Sequence, residues 1–384
     1  MNRLHGALSV RLVYQLILVL FLVASLCHAT DNPQIFGPQA RWDAPETVKT
    51  RERDLLFLDP YTGHYQNLGY NYMGRLDDGT VFAFNIFRWR VGPAGAWGLS
   101  IAVRLSDGTV YTYGDRIPDK GLAMAEGRMS LRFDGGSIEG ADGFYRIRLA
   151  VEGFSCDLTL RPVLSPWAPG NTYVYVDREE KAYSRLGVSS PRAEVSGSMV
   201  VHGRLIPATG DCYGERTLHN LPIHKLHSPT FAFHVYDSPA VPPEESWSLS
   251  VISATPHPSY RLPPVQLLLL ARGRQWLFTG MDFSILPTAF REREDLAAPY
   301  PSQFLLYATR DGITFSGTYY STHLYQNDDV LGQAPAFVRA IGSLFLRQPV
   351  MYRIAGNFEG AITLADGKRI PLQLTGPAEY AVLK

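Results

Sequence analysis

Five of the ten histidines in the chain fall between His202 and His234, and two acidic residues, Asp211 and Glu215, lie among them. A carboxyl group held in an apolar cavity has a raised pKa, so it can keep a proton at neutral pH and deliver it to an alkene. Asp211, Glu215 and His219 are therefore candidate catalytic residues for an acid-catalysed reaction. The same residue types also shape turns and cap loops, and this structural interpretation stands beside the catalytic one.

The spacing of His224 and His227 could supply nitrogen ligands to zinc or another divalent cation. The segment lacks a helical His-Glu-x-x-His pattern and paired Cys-x-x-Cys motifs, so we predict no metal site. A glycine-rich phosphate loop, a dinucleotide fingerprint and a Gly-x-Ser-x-Gly elbow are also missing from the sequence. We therefore expect no cofactor, and the hydrolase, kinase and dehydrogenase classes are excluded.

Aromatic side chains at alternating strand positions could line an apolar cavity that binds a hydrophobic molecule. A packed core uses the same residue types at the same spacing, so the pattern is consistent with either. The candidate ligand-binding residues are Phe82, Phe84, Trp89, Trp97, Tyr173, Tyr175, Phe231 and Phe233.

The elements that position these residues are predicted to be β-strands. Six Asp-Gly pairs interrupt runs rich in Val, Ile, Phe, Tyr and Thr, which is a strong signal for β-hairpins. Alternation is strict from Tyr145 to Glu152, as expected for a strand with one buried face. The aspartates of the six pairs are Asp78, Asp107, Asp134, Asp142, Asp311 and Asp366. Strands are predicted at 80–91, 97–105, 110–113, 129–133, 172–177, 196–206, 246–255, 265–270, 275–279, 303–309, 313–321 and from 350 to the C-terminus.

A proline-rich stretch at 237–244 breaks the strand rhythm, so we place a domain boundary there, between a domain at 30–240 and a second at 241–384. One segment of the second domain, 334–347, has helical periodicity. Its apolar positions are Phe337, Val338, Ile341, Leu344 and Phe345. The predicted fold class is all-β, with two antiparallel β-barrels in tandem and this one amphipathic helix in the C-terminal domain.

The N-terminus has the pattern of a secretory signal. Arg3 and Arg11 accompany an apolar run at 12–26, and small residues around Ala29 offer a cleavage point, so residues 1–29 are predicted to be removed. The run is short for a membrane span, although an uncleaved anchor is the alternative. We expect a periplasmic or secreted protein with no integral membrane span after cleavage.

The charge balance of the chain argues against nucleic acid as a partner, because 36 basic and 36 acidic residues give a formal net charge of zero. After removal of the signal, Cys156 and Cys212 are the remaining cysteines, and they could pair or stay as thiols. No feature of the sequence specifies an oligomer.

Two segments resemble a known family. The residues at 329–360, DVLGQAPAFVRAIGSLFLRQPVMYRIAGNFEG, resemble the C-terminal segment of survival-factor-one-like proteins, and those at 210–237 are similar to the glycine-rich turn, histidine-bearing loop and aromatic strand of the same family. That family belongs with the hydroxyneurosporene synthase (carotenoid hydratase) superfamily. Arg216 to His219 stand where its hydratase branch tends to carry an aromatic residue. The resemblance implies that the two barrels are lipocalin-like and that the protein has a lipid-related role.

We therefore expect a protein that binds or carries an extended hydrophobic molecule, such as a lipid or isoprenoid. The first alternative is a hydratase, cyclase or pericyclase that acts on a polyene without a redox cofactor. The second is a structural or stress-protective envelope protein.

Overall fold

A computed structural model describes residues 34–35, 65–91, 94–117, 123–124, 129–141, 143–169, 172–176, 183–221, 227–256, 264–280, 283–292, 296, 298–329 and 350–382. The described residues are all-β and contain no helix. None of them therefore forms a helix long and apolar enough to cross a membrane. The predicted amphipathic helix at 334–347 and the predicted signal at 1–29 lie outside the described residues.

The N-terminal half forms one antiparallel sheet of thirteen strands, with the order β5-β4-β3-β2-β13-β12-β10-β9-β8-β7-β6; β11 pairs with β12, and β1 with β11. Its strands are β1 (Gln34–Ile35), β2 (Tyr65–Leu76), β3 (Val81–Val91), β4 (Ala94–Arg104), β5 (Val110–Ile117), β6 (Ala123–Met124), β7 (Ser130–Phe133), β8 (Gly136–Ala141), β9 (Phe144–Val151), β10 (Phe154–Pro162), β11 (Tyr173–Val176), β12 (Tyr183–Val201) and β13 (Arg204–His219).

The C-terminal half forms a second antiparallel sheet of nine strands in the order β17-β16-β15-β14-β22-β21-β20-β19-β18. Its strands are β14 (His227–Tyr236), β15 (Trp247–Pro256), β16 (Val265–Arg272), β17 (Gln275–Gly280), β18 (Phe283–Arg291), β19 (Tyr300–Arg310), β20 (Ile313–Asp329), β21 (Val350–Thr363) and β22 (Arg369–Val382). β14 pairs within this second sheet, so the chain passes from one sheet to the other between His219 and His227, ahead of the boundary expected near residue 240.

The first sheet curls into a near-closed barrel and the second into a half-barrel, which confirms the predicted fold class of tandem lipocalin-like barrels. Tyr111 of β5 stacks on Phe154 of β10 with 5.4 Å between ring centroids, although these strands are far apart in the sheet order. Side chains from the two ends of the sheet therefore share one apolar core. We call the two bodies the N-terminal and C-terminal barrels.

All six Asp-Gly pairs lie where hairpins were predicted, between consecutive strands. The glycine of each pair has a positive φ, from 76° at Gly312 to 104° at Gly143. A residue with a Cβ is strained in this conformation, which is why glycine marks these turns. Five hairpin turns of the N-terminal sheet lie at one end of its barrel, because the strands alternate in direction from β5 to β7.

The prediction of a single strand at 196–206 was wrong. The chain reverses at His202 and Gly203, which both have positive φ, so this segment holds the end of β12, a turn and the start of β13. Apolar residues continue on both sides of the turn, so the alternation of the sequence gives no sign of a reversal there. The strand β2 was also missed, although Leu68, Tyr70 and Tyr72 alternate with Asn67 and Asn71 at the period of two that indicates a strand.

The two barrels pack face to face. The outer surfaces of β2, β3, β4 and β13 contact β14, β20 and β22 of the C-terminal barrel. Two apolar clusters join the barrels, one around Trp167, Tyr213 and Leu267 and one around Tyr325 and Ala355. Several N-terminal strands are thus covered on both faces, by their own barrel core and by the other barrel.

Candidate functional site

The segment that carries the predicted catalytic residues is the strand β13, so the alternative that Asp211 and Glu215 shape a turn is wrong. Successive side chains of a strand point to opposite faces. Even positions, including Cys212 and Arg216, face the interior of the N-terminal barrel, whereas Asp211 and Glu215 face the C-terminal barrel. One strand therefore serves two separate environments.

Inside the N-terminal barrel, the side chain of Arg216 is wholly buried. Its guanidinium carbon lies 5.8 Å from the centroid of the Tyr145 ring, within the range of a cation–π interaction. Tyr70 is the cross-strand partner of Arg216, and Tyr72 lies two residues along β2 on the same face. Burial raises the pKa of Tyr70 and Tyr72, and the positive charge of Arg216 opposes this rise in both. A Cβ on Gly214 would approach the Tyr72 ring to 3.0 Å, so glycine gives that ring its space.

The hydroxyl of Tyr72 is buried and has no hydrogen-bond partner. An unpaired buried hydroxyl carries a desolvation cost that is not offset, so it marks a position where a polar atom of a guest can bind. We call Arg216, Tyr70, Tyr72 and Tyr145 the Arg216 site. None of these four residues was among the predicted site residues, although one charged residue among the apolar residues on the interior face of β13, between Cys212 and Leu218, is the signal of this site.

The predicted ligand-binding aromatics do not form one group. Phe82, Phe84 and Trp97 are buried in the N-terminal barrel, and Phe84 pairs across the strands with Tyr72. Trp89 points to the face of β3 opposite to that of Phe82 and Phe84, and it is half-buried. Tyr173 and Tyr175 lie on β11, and their side chains are outside the described part of the structure.

Phe231 and Phe233 belong instead to the core of the C-terminal barrel. Phe231 stacks on Phe304 with 3.4 Å between ring centroids, and Phe233 stacks on Tyr319 at 4.7 Å. A small ligand inside one barrel cannot contact the predicted aromatic residues of both.

Asp211 forms an ion pair at the contact between the barrels. The Nε of Arg192 donates to its Oδ1 at 2.7 Å, and both side chains are almost completely buried. Burial raises the pKa of Asp211, while Arg192 and Arg75 lower it. Arg192 and Arg75 also donate to backbone carbonyls of the C-terminal half, at Ser246 (3.3 Å) and Asp237 (2.6 Å). Asp211 thus neutralises cations that join the two barrels.

Glu215 lies four residues further along the same face, about 13 Å away. The amide of Asn71 donates to its Oε1 at 2.9 Å and the Tyr213 hydroxyl to its Oε2 at 2.8 Å. The residue keeps slight surface exposure, but the carboxyl group is enclosed, and burial raises its pKa against the effect of both hydrogen bonds. The negative charge of Glu379 raises this pKa further.

Glu215 is one end of a polar row that crosses four strands of the N-terminal barrel: Glu215, Asn71, Asn85 and Ser100 are successive cross-strand partners. A second row, Gln326, Arg353 and Glu379, crosses three strands of the C-terminal barrel. Arg353 donates to Ser100 Oγ at 3.1 Å and to Gln326 Oε1 at 2.6 Å, so it bridges the rows. We call the two rows together the polar seam.

Several buried atoms of the polar seam and its neighbours have no hydrogen-bond partner in the structure. These atoms are Asn71 Oδ1, Asn85 Oδ1 and the Tyr325 hydroxyl, whereas Arg353 Nε lies 3.5 Å from Glu379 Oε2 in an ion pair. Unsatisfied buried atoms of this kind are normally paired by ordered water or by the polar groups of a guest.

His219 does not approach Glu215, because it is again four residues further along β13. It is buried, and its Nδ1 lies 2.7 Å from Ser184 Oγ. His234, from the other barrel, stacks on Tyr213 with 3.6 Å between ring centroids and places its Nδ1 3.0 Å from Ser250 Oγ. Burial lowers the pKa of His234 to about 3, so its ring is neutral at physiological pH.

Among the described residues, no three His, Cys, Asp or Glu side chains are placed to hold a metal ion. His224 lies outside those residues, and His227 is placed at the start of β14. Cys156 and Cys212 are separate buried thiols, and burial raises the pKa of Cys156 to about 12.

These features define a class of protein: a tandem lipocalin-like double barrel with a cationic group inside one barrel and a polar seam between the two. No protein-family model and no curated protein matches the chain. Solved structures do show the same fold. A putative AttH from Nitrosomonas europaea has a TM-score of 0.60 at 17% identity, covering 88% of this chain and 98% of its own.

Two further structures are similar over nearly the whole chain. CghA has a TM-score of 0.60 at 11% identity and covers 88% of this chain and 93% of its own. Kievitone hydratase from Nectria haematococca has a TM-score of 0.57 at 13% identity and covers 92% of this chain and 97% of its own. At these identities the likeness establishes the fold, while function has to be argued from the sites.

Proposed function

We propose that this protein binds an extended apolar molecule, such as a lipid or isoprenoid, inside the N-terminal barrel. The observation that carries the proposal is the Arg216 site. A guanidinium group costs several kcal/mol to bury, and apolar replacements of buried charged groups are often neutral or stabilising, so a purely structural core does not require one. A cation beside the unpaired Tyr72 hydroxyl is instead typical of a binding site, in which a few polar groups orient a largely apolar guest.

Two further points support this proposal. Lipocalin-like barrels commonly enclose one small ligand, and the fold is shared with kievitone hydratase, an enzyme named for kievitone. The resemblance to survival-factor-one-like proteins agrees with a lipid guest. We place the function in the periplasm or outside the cell, because the sequence predicts cleavage after Ala29.

Replacing Phe84 with alanine is expected to weaken binding about thirtyfold, because a lost phenyl contact removes about 2 kcal/mol of apolar burial. Native mass spectrometry of protein purified from its own host would identify the guest, which is then titrated against each variant. Phe233→Ala is the matched control, since it removes the same side chain from the core of the other barrel.

If Phe84→Ala and Phe233→Ala remain folded by thermal melting and neither changes the affinity, the guest does not lie within either core. A loss confined to Phe233→Ala would move the site to the C-terminal barrel. Either result would contradict the proposal.

Acid catalysis in the polar seam is a second candidate function, favoured by the enclosed carboxyl group of Glu215 with its raised pKa. In a hydration, Glu215 would give its proton to one alkene carbon, water would add to the resulting carbocation, and the proton lost from that water would return to the carboxylate. Because Glu215 and Arg216 face opposite sides of β13, this reaction requires a substrate between the barrels. The unpaired atoms of the seam offer it partners.

In this second function, Glu215→Gln is expected to abolish turnover while leaving the fold intact, because a neutral amide cannot deliver a proton. Kievitone can serve as the first probe, and hydration is detected as a gain in mass of one water. Glu139→Gln is a control at an exposed ion pair with Arg132 on the N-terminal barrel. Equal turnover by Glu215→Gln and the unmodified protein would exclude Glu215 as the acid.

A further inference from the structure

We propose that the outer face of β18, β19 and β20 in the C-terminal barrel is a docking surface for a second copy of this chain, and that the protein forms a symmetric dimer through it. This inference goes beyond the binding of a guest and does not depend on it. It is carried by a group of exposed apolar side chains and by the lack of charge among the described residues around them.

Large apolar side chains are exposed together on this outer face. Leu286 pairs directly with Leu305, and Tyr320 lies diagonally opposite Leu305 on the next strand. The residues between them, such as Phe304 and Tyr319, point inward to the core of the C-terminal barrel. Contiguous exposed apolar patches often mark interaction sites. The exposed group consists of Leu286 and Phe290 of β18, Leu305 and Tyr307 of β19, and Tyr320 of β20, each between 36% and 58% exposed.

The same face carries no charged residue at any of its described outward positions. Protein surfaces are typically about a quarter to a third charged, so a face of this size would normally hold several charged side chains. Two copies of an uncharged face can meet without repulsion between like charges. We call this surface the neutral face, and its outward residues are Ser284, Leu286, Thr288, Phe290, Gln303, Leu305, Tyr307, Thr309, Thr314, Ser316, Thr318 and Tyr320.

Charged residues begin at the rim of the neutral face, and both signs are present there. Arg291 ends β18, Asp311 lies in the turn after β19, and Glu359 lies on β21 beside β20. An apolar centre with aromatic side chains and a polar rim is the usual anatomy of a protein–protein interface. A lipid surface is less favoured, since a face that binds membranes is typically rich in Lys and Arg.

β18 is an edge strand of the C-terminal sheet, but its open edge is poorly suited to pairing with another strand. Pro287 lies in the middle of β18 and has no N–H group to donate. Ala289 has a φ of 50°, which interrupts the extended backbone. These features protect the edge against pairing with a second copy. The contact is therefore face to face across a two-fold axis, with the same neutral face presented by both copies.

The size of the neutral face predicts a weak dimer. The face spans three strands that lie about 4.8 Å apart, and it extends about 20 Å along them. Its area is on the order of a few hundred Å² per copy, which is below the roughly 800 Å² per partner of a standard interface. Contacts of this size are typical of transient complexes, so we expect a dissociation constant on the order of 10 µM.

Sedimentation velocity of the chain without residues 1–29 measures the association between about 1 and about 300 µM, where we expect a shift from monomer to dimer. Leu305→Arg and Leu286→Arg should each raise the dissociation constant at least about tenfold, because each places an unpaired charge in the contact. Leu205→Arg is the matched control. Leu205 is 65% exposed on the N-terminal barrel, outside the neutral face, so this variant should dimerise like the unmodified protein.

Thermal melting establishes that each variant is folded. A monomer at every concentration overturns the inference, and so does a dimer that persists in folded Leu305→Arg and Leu286→Arg. Vesicles of phosphatidylcholine test the lipid alternative: a monomer that sediments with them, and no longer does so as Leu305→Arg, would assign the neutral face to a membrane surface and overturn the dimer. None of these results changes the proposed function, because its guest lies inside the N-terminal barrel.

Discussion

Replacing Asp211 with alanine should lower the free energy of unfolding by about 3 to 5 kcal/mol, which is the cost of removing one partner of a buried ion pair. The reason is that Arg192 and Arg75 are 4% and 6% exposed and would keep their positive charges without the carboxylate that neutralises them. Urea unfolding of the variant and of the unmodified protein measures the difference.

A surface ion pair provides the control for this effect. Glu139 pairs with Arg132 on the surface of the N-terminal barrel, where water screens both charges. Glu139→Ala should therefore leave the urea midpoint nearly unchanged. If Asp211→Ala also leaves the urea midpoint nearly unchanged, the Asp211 pair contributes little to the stability of the contact between the barrels.

A double variant tests the cause. Asp211→Leu combined with Arg192→Met removes both members of the pair and should recover much of the lost stability, since apolar replacements of a buried pair are often neutral. Arg75 remains charged in this variant, although it keeps its hydrogen bond to the Asp237 carbonyl at 2.6 Å. If the double variant loses as much free energy of unfolding as the two single variants combined, the ion-pair explanation is contradicted.

Acidification from pH 7 to pH 5 should cost about 2 kcal/mol of stability through His234 alone. The folded protein holds the pKa of this ring at about 3, against its ordinary value of 6.5, because the ring is buried between the barrels. At pH 5 the His234 ring therefore binds a proton in the unfolded chain but not in the folded chain. The stability contributed by the neutral ring is complete above the unfolded pKa and is lost as the pH falls toward the folded pKa.

The variant His234→Gln isolates this effect, because it removes the titrating group and leaves the rest of the pH profile in place. Asp211 and Glu215 work in the opposite direction: their raised pKa values favour the folded state at low pH, and that contribution is lost as the pH rises. The measurement is the free energy of unfolding at pH 7 and pH 5 for both proteins. Parallel profiles would show that His234 is protonated in the folded state or already exposed.

Local patterns in the sequence were enough to predict the β-class and most hairpins. Each Asp-Gly pair places a glycine where the turn requires a positive φ, and this requirement depends only on neighbouring residues. The alternation from Tyr145 to Glu152 likewise appears in β9, where Tyr145, Ile147 and Leu149 are buried. The tight turn at His202 and Gly203 lacks the Asp-Gly signal, and the hairpin there was missed for that reason.

The candidate site shows where local patterns stop being informative. Asp211, Glu215 and His219 were grouped because they are close in sequence, but an extended strand separates neighbours four positions apart by about 13 Å. Each of the three therefore has its own partner: Arg192, Asn71 with Tyr213, and Ser184. The group that the structure does bring together, around Arg216, comes from β2, β9 and β13.

The sequence by itself determined the all-β class and the hairpins that carry Asp-Gly pairs, because turn chemistry and a period of two act between near neighbours. Only the tertiary structure decided what covers each face. The polar face of β13 has the pattern of a surface exposed to water, yet the C-terminal barrel covers it and converts Asp211 and Glu215 into buried carboxyls. The other face closes around Arg216 because the strands curl into a barrel. Burial, and with it the charge state of these groups, depends on contacts between residues far apart in the chain, and one strand's pattern does not contain them.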